Sequence, residues 1–198
     1  WGFVDQNDGR EYAVIGLGDG TGVVEVTDPV NPREVVTIPG NPSAWREVKI
    51  YQSFDAGSNR FRAYAYITTE APNSGLQVID LSGLPATATL ATTLSDTGSQ
   101  HTAYISNIDY ATNMALPGAE AFLYLAGSDI DNGAWRVYSL TNPEQPQFIA
   151  AAPSGTEYVH DATSLLIPDA RAAQCGVGHP PCEVYVDFNE NTVDLWDL

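Results

Sequence analysis

Val23-Val24-Glu25-Val26-Thr27-Asp28, Leu76-Gln77-Val78-Ile79-Asp80, Trp135-Arg136-Val137-Tyr138-Ser139 and Val193-Asp194-Leu195-Trp196-Asp197 are four versions of one segment. Each is a short run of apolar residues interleaved with polar ones, and each ends on Asp or Ser. The end residues Asp28, Asp80, Ser139 and Asp197 recur about every 50–60 residues. Several short strands per unit at that period mark the blade of a β-propeller. The chain is therefore expected to be all-β: a β-propeller, or a partial propeller, of about four four-stranded antiparallel blades.

Working outward from these segments, the blades fall at about 1–40, 45–94, 101–151 and 160–198 of a single domain or arc. In the first unit, strands are expected at Glu11–Ile15, Val23–Thr27 and Glu34–Ile38. In the second they are expected at Trp45–Tyr51, Arg62–Thr68, Gly75–Leu81 and Thr87–Thr93. The third holds His101–Ser106, Ala121–Gly127, Ala134–Leu140 and Gln147–Ala151. The fourth holds His160–Ile167, Glu183–Phe188 and Thr192–Leu198, with no outer strand. Pro29, Pro32, Pro143 and Pro146 follow third strands, where a missing N–H ends the ladder. Ala63-Tyr64-Ala65-Tyr66-Ile67 alternates as a strand between two neighbouring sheets should. The glycine run Gly16–Gly22 lacks the G-x-G-x-x-G spacing and leads into a β-branched strand, so it reads as a hairpin turn and not a phosphate cradle. A closed ring of four blades is uncommon, and an open arc would leave two blade faces bare.

With 198 residues, 43% hydrophobic and 17% charged, the composition is that of a globular chain. The net charge is −17 and Lys49 is the sole lysine, which argues against nucleic acid and anionic lipid as partners. No apolar run reaches the roughly 20 residues of a transmembrane helix. The sequence opens inside a patterned segment at Trp1 without a basic-apolar leader, as expected of a mature or partial chain.

Cys175 and Cys182 sit in a Gly/Pro loop, where a local disulfide in an exported protein is the main reading. His179 between them offers a second reading, Cys-x3-His-x2-Cys, a soft-metal site one ligand short of structural zinc.

Several longer motifs resemble the choice-of-anchor B proteins, secreted bacterial proteins built from LVIVD-type propeller repeats. They include Trp1-Gly2-Phe3-Val4-Asp5, Gly9-Arg10-Glu11-Tyr12-Ala13, Trp45-Arg46-Glu47-Val48-Lys49 and Gly75-Leu76-Gln77-Val78-Ile79-Asp80-Leu81. His101-Thr102, Tyr158-Val159-His160-Asp161-Ala162 and Asn189-Glu190-Asn191-Thr192-Val193 follow in the family's order. The resemblance implies export, a place at the cell surface or beyond it, and attachment through variable C-terminal anchors. It implies no activity, so function has to be argued from a site.

Three innermost strands are expected to begin at Trp45, His101 and His160, about one repeat apart, and such starts converge on the mouth of a propeller's channel. Arg46, Glu47, His101, His160 and Asp161 would then be neighbours. Imidazole and carboxylate in a cleft can bind a transition metal, bind another ligand, or do acid–base work; they can equally tie blades together by hydrogen bonds. Asp129-Ile130-Asp131-Asn132-Gly133 is a second candidate, since Asp129, Asp131 and Asn132 offer oxygens suited to calcium. An ordinary Asx turn explains it too, as it does Asp5-Gln6-Asn7-Asp8-Gly9. Trp1, Trp45, Trp135 and Trp196 recur once per unit, which favours wedges between blades over a sugar-stacking platform. No G-x-S-x-G, H-E-x-x-H, P-loop or N-x-S/T motif occurs.

The function expected from these features is an exported binding or scaffolding module for a protein or surface partner, self-association included. The competing expectation is a metal-assisted hydrolase with its site at the channel mouth.

Overall fold

The computed structural model describes residues 1–176 and 181–197. His179 lies outside the described residues. Four sheets succeed one another along the chain. The first runs β1 (Gly2–Val4), β2 (Glu11–Leu17), β3 (Gly20–Glu25) and β4 (Arg33–Pro39). The second runs β5 (Val48–Asp55), β6 (Arg60–Ile67), β7 (Leu76–Asp80) and β8 (Thr89–Leu94). The third opens with β9 (Thr102–Ser106), detours through a small hairpin of β10 (Ile108–Asp109) and β11 (Met114–Ala115), and resumes with β12 (Phe122–Ala126), β13 (Arg136–Ser139) and β14 (Gln147–Ala151). The fourth holds β15 (Val159–Ile167), β16 (Cys182–Asn189) and β17 (Val193–Asp197). Each run of strands is an antiparallel meander, the β10–β11 hairpin adds to the β5 edge of the second sheet through one parallel bridge, and the whole is a partial propeller-like arrangement with no closed barrel among the described residues.

The repeating end residues have a local cause. Asp28 Oδ1 accepts from the Val30 amide at 3.1 Å, Asp80 Oδ1 from the Ser82 amide at 2.8 Å, and Ser139 Oγ from the Thr141 amide at 3.1 Å. One short polar side chain thus closes the turn that follows the third strand in each of the first three blades. Gly18 and Asp19 form the two-residue turn that pairs Leu17 with Gly20.

Packing follows from alternation. On β6, Ala63, Ala65 and Ile67 face a core shared with the first sheet, where Tyr12, Val14 and Val23 meet Ile50 and Ile79. Tyr64 and Tyr66 face the opposite way, into a core shared with Ile105, Leu123 and Leu125 of the third sheet. A third core joins Tyr124, Trp135 and Val137 to Val159, Ala162 and Tyr185 of the fourth. Three cores serve four sheets. The outward faces of the end sheets keep Ile15 at 47% exposure on one side, with Leu165 at 61% and Leu195 at 69% on the other. Among the described residues no comparable packing joins the fourth sheet to the first.

Three features depart from the sequence reading. A fourth strand, β1, completes the first sheet. The second sheet's inner strand starts at Val48, not Trp45, because the segment before it bridges to neighbouring sheets. The β10–β11 hairpin carries no sequence signal; it follows the third sheet's inner strand in the chain but joins the second sheet, setting Met114 beside Gln52 of β5 in parallel. Gln52 is buried there, donating to Val4 O at 2.9 Å and Thr112 O at 2.8 Å, so one amide joins three consecutive units. Of the four tryptophans, Trp135 and Trp196 pack edge-to-face between the third and fourth sheets, while Trp1 and Trp45 stay substantially exposed.

Cys175 and Cys182 form the expected disulfide, with Cα atoms 6.4 Å apart. Closing so short a loop stabilises the fold by about 2–3 kcal/mol through the unfolded chain. Replacing both cysteines by Ala should lower unfolding free energy by about that amount in urea titration, with the far-ultraviolet spectrum unchanged. Asp187 gives a second expectation. It is fully buried, Trp196 Nε1 donates to its Oδ2 at 2.5 Å, and its Oδ1 has no partner. Burial pushes this carboxyl above the ordinary range, Asp194 adds to the shift, and the Trp196 bond opposes it. A raised folded value means stability is lost as pH rises from the ordinary Asp range through the folded value. Asp187→Asn keeps an acceptor for Trp196 and cannot ionise. Its stability relative to wild type should therefore increase as pH rises from about 4 through the raised folded value. Parallel unfolding curves across that window would refute this account of Asp187.

Candidate functional site

The segments before β5 and β9 and the first residues of β15 bring Trp45, His101 and His160 together, as their repeat-equivalent positions foretell. The Trp45 indole lies flat on the His101 imidazole, with centroids 4.7 Å apart and planes 8° from parallel. Its Nε1 donates to the His101 carbonyl at 2.6 Å. The His160 ring sits 4.5 Å from that of His101, and the Tyr158 ring 6.5 Å from it.

His160 gets there by a bulge. Val159 pairs with Asn189 and Asp161 with Phe188, so His160 is an extra residue in the ladder. A bulge re-aims its side chain, here toward the neighbouring inner strand. Tyr158 needs two glycines. Gly127 at φ +66° and Gly133 at φ +77° leave room that a Cβ would take from the His101 and Tyr158 side chains.

Glu70 Oε1 lies 2.7 Å from His101 Nδ1. A carboxylate only accepts, so Nδ1 carries the proton and Nε2 remains the basic or ligating nitrogen of the neutral ring. Burial raises the Tyr158 hydroxyl's pKa, and the charges of Glu70 and Glu190 raise it further. The cluster is thus two imidazoles, a phenol and an indole with one carboxylate at the edge.

The other expected members go elsewhere. Glu47 turns inward: it pairs with Lys49, and its Oε2 accepts from Thr102 Oγ1 and the Ala103 amide, both at 2.7 Å. It ties the second inner strand to the third. Lys49 in turn lies 4.9 Å over the Trp1 ring. Arg46 points back to the first sheet, where Nε donates to Leu17 O at 2.8 Å and Nη2 to Asn41 O. Asp161 is exposed, with Oδ1 on the Ala162 amide at 2.8 Å.

At the second candidate, Asp129 Oδ1 accepts from the Ser99 amide at 2.8 Å. Asp131 Oδ2 pairs with Arg136 at 2.8 Å, and Asn132 Nδ2 donates to Thr156 O at 3.4 Å. These three side chains serve three separate partners. Among the described residues, one group of His, Cys, Asp and Glu converges within 4.8 Å: Cys175, Cys182 and Asp197. Its two sulfurs are spent on the disulfide.

Sequence reasoning missed Glu70 and Tyr158 as members of the cluster. Tyr158 stands two residues before His160 in a quoted motif, which is a usable signal. Glu70 lies in the loop after β6 and has none.

Gly133→Ala should displace Tyr158, and Gly155→Ala is the control, with φ +94° and open space around its Cβ position. Both carry the strain of a left-handed alanine. Gly133→Ala alone adds the overpacking, about 1–3 kcal/mol of further destabilisation in urea unfolding. Equal losses would mean that the Tyr158 fit is not restrictive. Comparison of the chain with family models, with curated proteins and with solved structures finds no match.

Proposed function

We propose that the chain is a binding module of an exported, LVIVD-type propeller, and that the Trp45–His101–Tyr158–His160 cluster is its recognition site. The observation that carries this reading is how the cluster's polar atoms are used. His101 Nδ1 is held by Glu70, and Trp45 Nε1 by a backbone carbonyl. Among the described residues, no Ser, Thr or Cys side chain bonds to either imidazole ring, so no nucleophile is held against a base. What faces outward is an exposed indole, an exposed imidazole and a carboxylate. Such groups recognise a partner by stacking and hydrogen bonding.

Export is supported by the disulfide and by the resemblance of the motifs to choice-of-anchor B proteins. No helix of the described residues is long and apolar enough to cross a membrane.

The adjacency of two imidazoles favours one second reading, a transition-metal site supporting hydrolysis. Two measurements on protein purified without chelator decide between them, with the His101→Ala/His160→Ala variant alongside. These are metal content by mass spectrometry and turnover of p-nitrophenyl acetate and p-nitrophenyl phosphate. The binding reading expects no metal that depends on the two histidines, and turnover equal in both proteins. Stoichiometric zinc, nickel or copper lost in the variant, together with lost turnover, would replace it with the hydrolase.

A further inference from the structure

Between the third and fourth sheets, away from the histidine cluster, lies a cavity of 460 Å³. Phe122, Tyr124, Trp135 and Val137 of the third sheet form one wall, and Leu166 of β15 lies opposite. The lining holds two carboxylates. Glu120 is exposed, and its Oε1 accepts from Ser139 Oγ at 2.9 Å and Thr141 Oγ1 at 2.8 Å. Glu183, at the start of β16, is 7% exposed.

The surroundings of Glu183 are unusual for a buried acid. Its oxygens accept from the Asn107 amide at 2.9 Å and from the Tyr124 hydroxyl at 3.3 Å, both neutral donors. Among the described residues no Lys, Arg or His pairs with it, and none lines the cavity. A carboxylate withdrawn from water without a counter-charge is unfavourable, and a bound cation would supply the missing partner. Burial and the Glu183 charge together raise the Tyr124 hydroxyl well above its ordinary pKa, which keeps it a donor to Glu183. Aromatic ring faces add an attraction for cations.

We propose that this cavity is a binding site for a small organic cation with an apolar or aromatic body, its charge at Glu183 and its body against Tyr124, Trp135 and Val137. Size, apolar walls and a few convergent polar groups are the attributes of a small-molecule site. The inference is independent of the histidine cluster.

The test uses the intact chain and three matched probes: 2-phenylethylamine, neutral 2-phenylethanol and anionic phenylacetate. Calorimetric titration should give saturable binding of the amine, at least about tenfold tighter than the alcohol, with phenylacetate silent. In the ¹H–¹⁵N spectrum the Trp135 indole signal should move while that of Trp45 stays. Glu183→Gln should erase the preference for amine over alcohol. Glu183 also bridges the sheets, so a variant that fails to fold is replaced by Ala119→Trp, which fills the cavity from its lining and should abolish binding. The proposal is overturned by alcohol binding as tightly as amine, by shifts confined to Trp45, by Ala119→Trp binding like wild type, or by no saturable heat for the amine.

Discussion

The second and third sheets are apolar on both faces, and that constraint organises everything else. A strand such as Arg60–Ile67 carries alanines and Ile67 on one side and tyrosines on the other, so neither side can face water without loss. The sheets must stack. Stacking four of them yields three cores, in which small residues on one strand accept large ones from the next. Because stacking is face to face and each meander runs outward, the inner strands of successive sheets are brought side by side.

That juxtaposition explains where the buried polar groups lie. Gln52, Glu47 and the Asn107–Glu183 pair each reach from one unit to the next at or near an inner strand. Apolar packing tolerates small slips between sheets, whereas a carboxylate that must meet Thr102 Oγ1 and the Ala103 amide admits one register. Glu47 acts as such a tie. The histidines, by contrast, stand at loop and bulge positions just ahead of or within the ladder's first residues, where side chains are free to turn outward.

The two sites differ in kind although they come from the same junctions. The histidine cluster is built at the ends of strands and shows water an indole and imidazole edges. The inter-sheet cavity is built from strand interiors and encloses a carboxylate among rings. Both inherit acidity from a chain with a net charge of −17, and in both the local carboxylate sets the character of the neighbouring groups: Glu70 fixes the His101 tautomer, and Glu183 holds the Tyr124 proton.

By itself the sequence determined the repeat, the all-β class, most strands of each unit and the disulfide. These rest on short-range physics: alternation over five residues, an Asp or Ser that closes its own turn two residues on, and two cysteines close along the chain. It also placed Trp45, His101 and His160 together, because equivalent positions in stacked repeats are neighbours. Tertiary structure alone decided which way each side chain then pointed. Glu47 and Arg46 share a motif with Trp45, yet they turn to different sheets, because Thr102 and the Leu17 carbonyl reach them from other units. The β10–β11 hairpin, Glu70 beside His101 and Glu183 beside Tyr124 were equally hidden. Each depends on contacts between residues 30 or more positions apart, whose meeting is set by how sheets stack and not by any local pattern.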